Sequence, residues 1–246
     1  MKWSVALFFA GLFAALGTVF ILLSFGTDYW LLAWETCNTD VTNSGEVGGR
    51  MNWYLFSVQT ADAENSSTFY HEGFFWRCSF EGRGDEDLIL KFWFTNQPHS
   101  KVCTHAYLSP FPVSEVTHNA TTYESAIIYR GFWSIFMLLG VAAVILAGFI
   151  IICAAPFTSP CLYKAGGGLY LTAGFFILLA TVLSVIWLEM MDMVNLYVEY
   201  QKSHLCSGFQ LNTMYGLSFM FAPVGVFFCL LSGLLFLLIG QTLKRH

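Results

Sequence analysis

The sequence predicts an all-α membrane bundle with a β extracellular domain: four transmembrane helices capped by a small antiparallel sheet. Three observations carry this expectation. The 246 residues are 56% hydrophobic, 18% aromatic and only 11% charged, a composition that suits a bilayer better than one or two soluble domains. Four runs without Asp, Glu, Lys, Arg or His are long enough to cross hydrocarbon as helices. The charged residues between them are distributed unequally, and one long polar segment alternates in the manner of strands.

The elements follow in order. Residues 1–4 form a short end, and Val5 to Gly26 the first span. With Lys2 ahead of it this run resembles a secretory signal, but its apolar stretch is too long and no clear small-residue cleavage site precedes Asp28, so it is read as a retained helix. Residues 27–130 form a long first loop, 131–155 the second span, 156–165 a tight turn and 166–188 the third span. Residues 189–213 form a second loop, 214–239 the fourth span and 240–246 a tail.

Charge sets the orientation. The two loops hold all sixteen acidic residues against seven basic ones, a net −9, whereas the other side holds only Lys2, Lys164, Lys244 and Arg245, +4. By the positive-inside rule the acid-free side is cytosolic, with both termini on it. Nearly all the soluble mass is then outside, and the cytosolic parts are too short for a folded domain or signalling enzyme.

Other features agree with that placement. Cys37, Cys78, Cys103 and Cys206 fall on the outer side, where disulfides persist, and allow three pairings. The sequons at Asn65 and Asn119 would face the lumen during synthesis and are expected to accept glycans. Phe74, Trp76, Cys78 and Phe80 share one face of a period-2 pattern, as do Leu88, Leu90, Phe92 and Phe94, with a charged, glycine-bearing turn between them. An antiparallel pair built from these stretches would bury Phe74 together with Trp76.

Several features have plain structural readings. Tyr29, Trp30, Trp34, Tyr129, Trp133 and Trp187 lie near span ends and read as an interfacial belt. Asp85, Glu86 and Asp87 read as a solvated turn, since they lack the spaced oxygen ligands of a calcium loop. The outer histidines lack zinc spacing. Cys153 and Cys161 flank the cytosolic turn and are candidates for palmitoylation, with buried thiols as the alternative. Small-residue pairs such as Ala10/Ala14 and Cys229/Gly233 are expected to let helices approach, within the bundle or in lateral homo- or hetero-association. "KAGGGLY" lacks the phosphate-loop spacing. No span contains an ionisable residue of the kind that marks a pump or ion path, and no catalytic signature is present, so no enzyme, cofactor or nucleic-acid partner is expected.

With Trp30 after the first helix, then "HEGFFWRC" and a second loop cysteine before three clustered spans, the chain resembles the claudin, peripheral myelin protein and epithelial membrane protein superfamily. Its signature runs W, then G-L-W-x-x-C, then C. Trp30 matches the first tryptophan, Gly73 the glycine, Cys78 and Cys103 the disulfide pair, and Arg130 the basic residue that ends the loop. Phe74 and Phe75 stand at the Leu and Trp positions, and Trp76 is shifted by one. The resemblance implies a Cys78–Cys103 bond closing a loop of about 25 residues, on the order of 3 kcal/mol, and leaves Cys37 and Cys206 as an expected second pair. It also implies that the aromatic string seats the sheet on the helices.

The strings "HEGFFWRC", "THAYLSP", "IIYRGFW" and "LYKAGGG" further resemble a claudin-like orphan group associated with skeletal muscle and fat. That resemblance implies a plasma-membrane negative regulator of myoblast differentiation, fusion and muscle regeneration, acting through beta-one integrin and reduced laminin adhesion. The alternative is a junctional adhesion protein or an auxiliary subunit of an ion channel. The terminal "LKRH" lacks the apolar carboxyl end by which many claudins engage scaffolds, and the 104-residue first loop is long for a pore-lining claudin, so the regulator is the expectation.

Overall fold

The computed structural model describes residues 2–37, 66–83, 101–106, 111–112, 120–190 and 193–245. Its elements run α1 (Lys2–Gly26), β1 (Leu31–Cys37), β2 (Ser66–Glu72), β3 (Trp76–Arg83), β4 (Val102–His105), α2 (Ala120–Phe157), α3 (Pro160–Met190), α4 (Met193–His204), β5 (Phe209–Tyr215) and α5 (Leu217–Arg245). α1, α2, α3 and α5 are long and apolar enough to cross a membrane, so the chain is a multi-pass membrane protein. At 1.5 Å per residue α2 is about 57 Å long, well beyond the ~30 Å of hydrocarbon.

These helices are apolar all round, as helices between protein and lipid must be. Phe8, Phe149, Ile152 and Phe227 face outward. The inward faces carry small residues, and their spacing is what brings the backbones together. A Cβ on Gly167 would come within 2.8 Å of the Gly233 carbonyl oxygen, and one on Gly233 equally close to Gly167. Ala10, Ala14 and Ala147 are buried, and Gly17 abuts the Cys229 thiol. Ala15, one residue beyond Ala14, is exposed and takes no part in this contact. Thr158, with φ 44°, breaks the chain between α2 and α3. Pro160 then opens α3, where its missing N–H costs nothing.

The sheet has five antiparallel strands in the order β4-β3-β2-β1-β5. Phe69 stands opposite Phe80, His71 opposite Cys78 and Cys78 opposite Cys103. β1 leaves α1 after four residues, and β5 enters α5 after one, so the edge strand β5 and its neighbour β1 are direct continuations of two membrane helices. A latch holds this exit. Ser218, fully buried, donates to the Thr27 carbonyl at 2.9 Å and accepts from the Tyr29 amide at 3.0 Å. The Gly216 amide donates to the Trp30 carbonyl at 3.0 Å, and a side chain there would strike the Tyr29 carbonyl.

Three expectations need correction. The period-2 face through Phe74 and Trp76 is interrupted: the chain bends at 74–75, β3 begins at Trp76, Phe74 is 4% exposed and Trp76 41%. The partners of β3 are β2 and β4, while the segment 88–94 lies outside the described residues. Residues 189–213 are not simply a loop, because α4 and most of β5 lie there. Met214, taken as the start of the fourth span, belongs to β5, and the helix begins at Leu217. Apolar residues continue through this junction, so hydropathy alone cannot mark it.

Candidate functional site

The junction between sheet and bundle brings together most of the residues singled out from the sequence. Trp30 is 5% exposed, and its indole N–H donates to the Ser24 carbonyl at 2.7 Å. That carbonyl is one of the last four of α1, which have no partner within their own helix. The same ring meets Trp133 of α2 and Phe219 of α5 edge-on, with centroids 5.3 and 5.6 Å apart. Phe74 stacks on Trp133 at 5.6 Å and packs on Phe25 at 4.7 Å, while Phe75 meets Phe25 at 5.1 Å. The wedge is therefore Phe74 and Phe75. Trp76 stands outside it and stacks on His105 of β4 at 4.4 Å.

A charge cluster crosses the same junction. Glu72 is 4% exposed and accepts from Arg77 at 2.7 Å and from Arg130 at 3.2 Å. Arg130 also donates to the Gly73 carbonyl at 2.8 Å and lies 4.1 Å over the Trp133 ring. Trp133 in turn donates to Ser184 of α3 at 2.8 Å. One carboxylate on the β2–β3 turn is thus tied to α2, and through Trp133 to α3. Gly73 has to be glycine here, because a Cβ would run into the Asp28 backbone and sit 2.6 Å from its Oδ1.

Beside the turn, His71 is buried and stacks on Tyr29 at 4.7 Å. Its Nδ1 lies 2.8 Å from the Asp28 carbonyl and its Nε2 3.1 Å from Lys101 Nζ. The carbonyl accepts and the ammonium donates, so the ring is neutral with the proton on Nδ1. Burial pushes its pKa down to about 4, the Asp28 hydrogen bond opposes this, and the Lys101 charge adds to it. Burial raises the Asp28 carboxyl against the Trp76 backbone and Lys101, which pull it down.

A second cluster docks α4 on the sheet. Glu35 of β1 accepts from Tyr197 at 2.8 Å and Tyr70 at 3.1 Å, and Gln201 donates to the Tyr197 oxygen at 2.9 Å. Burial raises the Glu35 carboxyl, and the two tyrosine hydrogen bonds counter it. Burial, with the Glu35 charge next, raises both Tyr70 and Tyr197. Tyr197 also meets Phe209 and Phe111.

Disulfides fix both clusters. The structure joins Cys78 to Cys103 across β3 and β4, and Cys37 to Cys206, which ties the end of β1 to the end of α4. Cys153 is half-buried and Cys161 exposed at the other end of the bundle, and Cys229 is buried within it. Asn65, Asn119, Asp85, Glu86 and Asp87 lie outside the described residues.

Sequence reading missed Glu72, Phe25, Ser184, Phe219 and the Glu35–Tyr70–Tyr197 group. Only Glu72 carried a local signal, as an acid directly before Gly73 in an aromatic string.

Residues 15–238 match the family profile described as PMP-22/EMP/MP20/Claudin tight junction. The chain belongs to this claudin family. Curated relatives, each called Transmembrane protein 182, match it end to end. The Danio rerio protein is 60% identical over 100% of this chain and 99% of its own length. The Gallus gallus protein is 50% identical over 99% and 98%, and the Homo sapiens protein 49% over 100% of both chains. The claudin family is not an enzyme family. Of the residues singled out from the sequence, Gly73 sits at the tight turn against Asp28, Trp30 is buried in the seat, and Cys78 is bonded to Cys103. The rings facing the bundle are Phe74 and Phe75, whereas Trp76 lies on the sheet's β4 side. Chemically the junction is a mount: it holds a rigid sheet at a fixed attitude on four spans.

Proposed function

We propose that this claudin-family chain is a non-enzymatic plasma-membrane protein that restrains myoblast differentiation, fusion and muscle regeneration by associating with beta-one integrin and lowering laminin adhesion signalling. In this reading the sheet faces outward, both termini are cytosolic, and Asn65 and Asn119 carry glycans. The sheet and α4 form the face that docks laterally on the integrin ectodomain.

The observation that supports it most is the concentration of rigid, non-membrane structure at one end of the bundle. Five strands and α4 are tied by two disulfides and seated through Glu72 and Arg130, whereas at the other end only Thr158 and Ser159 separate α2 from α3. Such a chain acts through what its outer surface holds. Full-length similarity to the relatives called Transmembrane protein 182 supports grouping this chain with them; the muscle association is what the sequence resemblance implies.

The tight-junction wording of the family description favours a second reading, a junctional adhesion protein or channel auxiliary subunit. Co-capture from differentiating myoblasts, with a chimera bearing another claudin's outer loops as control, separates them. Recovery of beta-one integrin by the native loops alone is the expected result. Recovery of junction scaffolds or channel subunits instead, or equal integrin recovery by the chimera, overturns the regulator reading.

A further inference from the structure

Between the aromatic seat and the sheet lies a cavity of about 50 Å³. The bundle lines it through Trp133, Trp187 and Phe219, and the sheet side closes it with Leu31, Glu72 and Tyr215. Its walls are mainly aromatic, yet a buried charged donor at its edge has no partner among the described residues. Arg130 Nε is buried and makes no hydrogen bond among the described residues, and the Tyr129 hydroxyl lies beside the Trp187 backbone; both residues line the cavity. A buried donor left without an acceptor is costly, and more so when it is charged. Elsewhere the Arg130 guanidinium is engaged through Nη2 with Gly73 and Glu72, and through its face with Trp133. The Nε edge is the buried part with no partner among the described residues.

What satisfies that edge is an acceptor, and a charged acceptor bonds an arginine about twice as strongly as a neutral one. The cavity has room for about three or four water positions at ~10–15 Å³ each. A carboxylate with its first methylenes matches that small volume better than the bulkier phosphodiester head of a two-chain lipid. The location decides the rest of the molecule. The site sits where four membrane-crossing helices meet the sheet, at the depth where Trp and Tyr rings mark a bilayer boundary.

We infer that this cavity binds the carboxylate head of a single-chain lipid, a fatty acid drawn from the surrounding bilayer. Arg130 Nε is the charged donor and the Tyr129 hydroxyl the neutral one. Trp133, Trp187 and Phe219 cover the first methylenes. Because Glu72 and Arg130 also seat the sheet, occupancy sets how firmly the sheet is held on the bundle.

The test uses the full chain in phosphatidylcholine nanodiscs and three probes carrying a diazirine near the carbonyl end of one chain. These are an oleate analogue, its methyl ester and phosphatidylserine, with adducts mapped by mass spectrometry. The expected result is at least tenfold more adduct from the free acid than from the ester, on residues around Trp133, Trp187 and Phe219, and competition by plain oleate. Leu188→Trp, at a half-buried lining position outside the charge cluster, is expected to cut the adducts at least fivefold with the disulfides and melting midpoint unchanged. Arg130→Lys, which keeps the charge and loses Nε, is expected to lower acid capture toward the ester level. Equal labelling by acid and ester, preference for phosphatidylserine, no response to Leu188→Trp, or adducts confined to outward residues such as Phe132 and Phe227 overturn the proposal. Absence of cavity adducts does the same and leaves water as the occupant.

Discussion

Replacing Glu72 by Gln isolates the charge that seats the sheet. The side chain keeps its size, but its one carboxylate currently accepts from Arg77 at 2.7 Å and Arg130 at 3.2 Å in a site where Glu72 is only 4% exposed. The amide retains one acceptor oxygen and turns an NH₂ group toward the other guanidinium, so one arginine loses its partner. Breaking one side of a buried pair costs about 3–5 kcal/mol, and the surviving hydrogen bond returns about 1 kcal/mol, leaving roughly 2–4 kcal/mol. The Cys78–Cys103 bond holds β3 to β4 and not to the bundle, so it does not offset this loss. Hydrogen exchange on the full chain in nanodiscs reads it directly. If opening of the junction governs exchange, the amides of β2 and the Gly73 turn should exchange about 30- to 1,000-fold faster, with the mid-membrane amides of α3 and α5 unchanged. Exchange within threefold of the native chain would refute the idea that this carboxylate seats the sheet.

Three further outcomes follow from the same geometry. His71 has a folded pKa near 4 against an ordinary value of 6.5, so the unfolded chain binds its proton first as pH falls. Its contribution is intact above pH 6.5 and is lost toward pH 4 at about 1.4 kcal/mol per pH unit, up to roughly 3 kcal/mol. The raised Asp28 carboxyl works in the opposite sense, so His71→Gln should flatten the acid limb of a pH–melting curve, and an unchanged limb would count against the buried neutral ring. Gly73→Ala places a methyl against Asp28 and should destabilise the junction by about 1–3 kcal/mol, seen as faster exchange at β2. Native stability there would mean the turn has room that the structure denies. Non-reducing peptide mapping should recover Cys37 linked to Cys206 and Cys78 to Cys103, and free thiols at either pair would contradict the arrangement.

The bundle was legible because long uncharged runs have few outlets other than lipid. Hydropathy located the spans but could not place their ends, since Met214 and Tyr215 are as apolar in a strand as at a helix start. The sheet was legible in part. Alternation through Cys78 and Phe80 reads as a strand, but nothing in a period-2 pattern reveals that the chain bends at Phe74 and Phe75, which turns Phe74 onto Trp133 and leaves Trp76 exposed. β1, "LLAWETC", follows a membrane helix and is apolar at four consecutive positions, so it merges with the interfacial belt. The charge cluster was not legible because it is tertiary: Glu72 and Arg130 are far apart in sequence and meet only when α2 passes the β2–β3 turn. For the same reason the Glu35–Tyr197 contact joins residues 162 positions apart.

The most direct test of the central claim, that the seated sheet and α4 form a receptor-docking face, is binding of purified beta-one integrin ectodomain to the chain in nanodiscs. The account predicts saturable binding that is lost when both outer loops are exchanged for those of another claudin and weakened by Glu72→Gln. No binding to the native chain, or equal binding to the exchanged one, would contradict it.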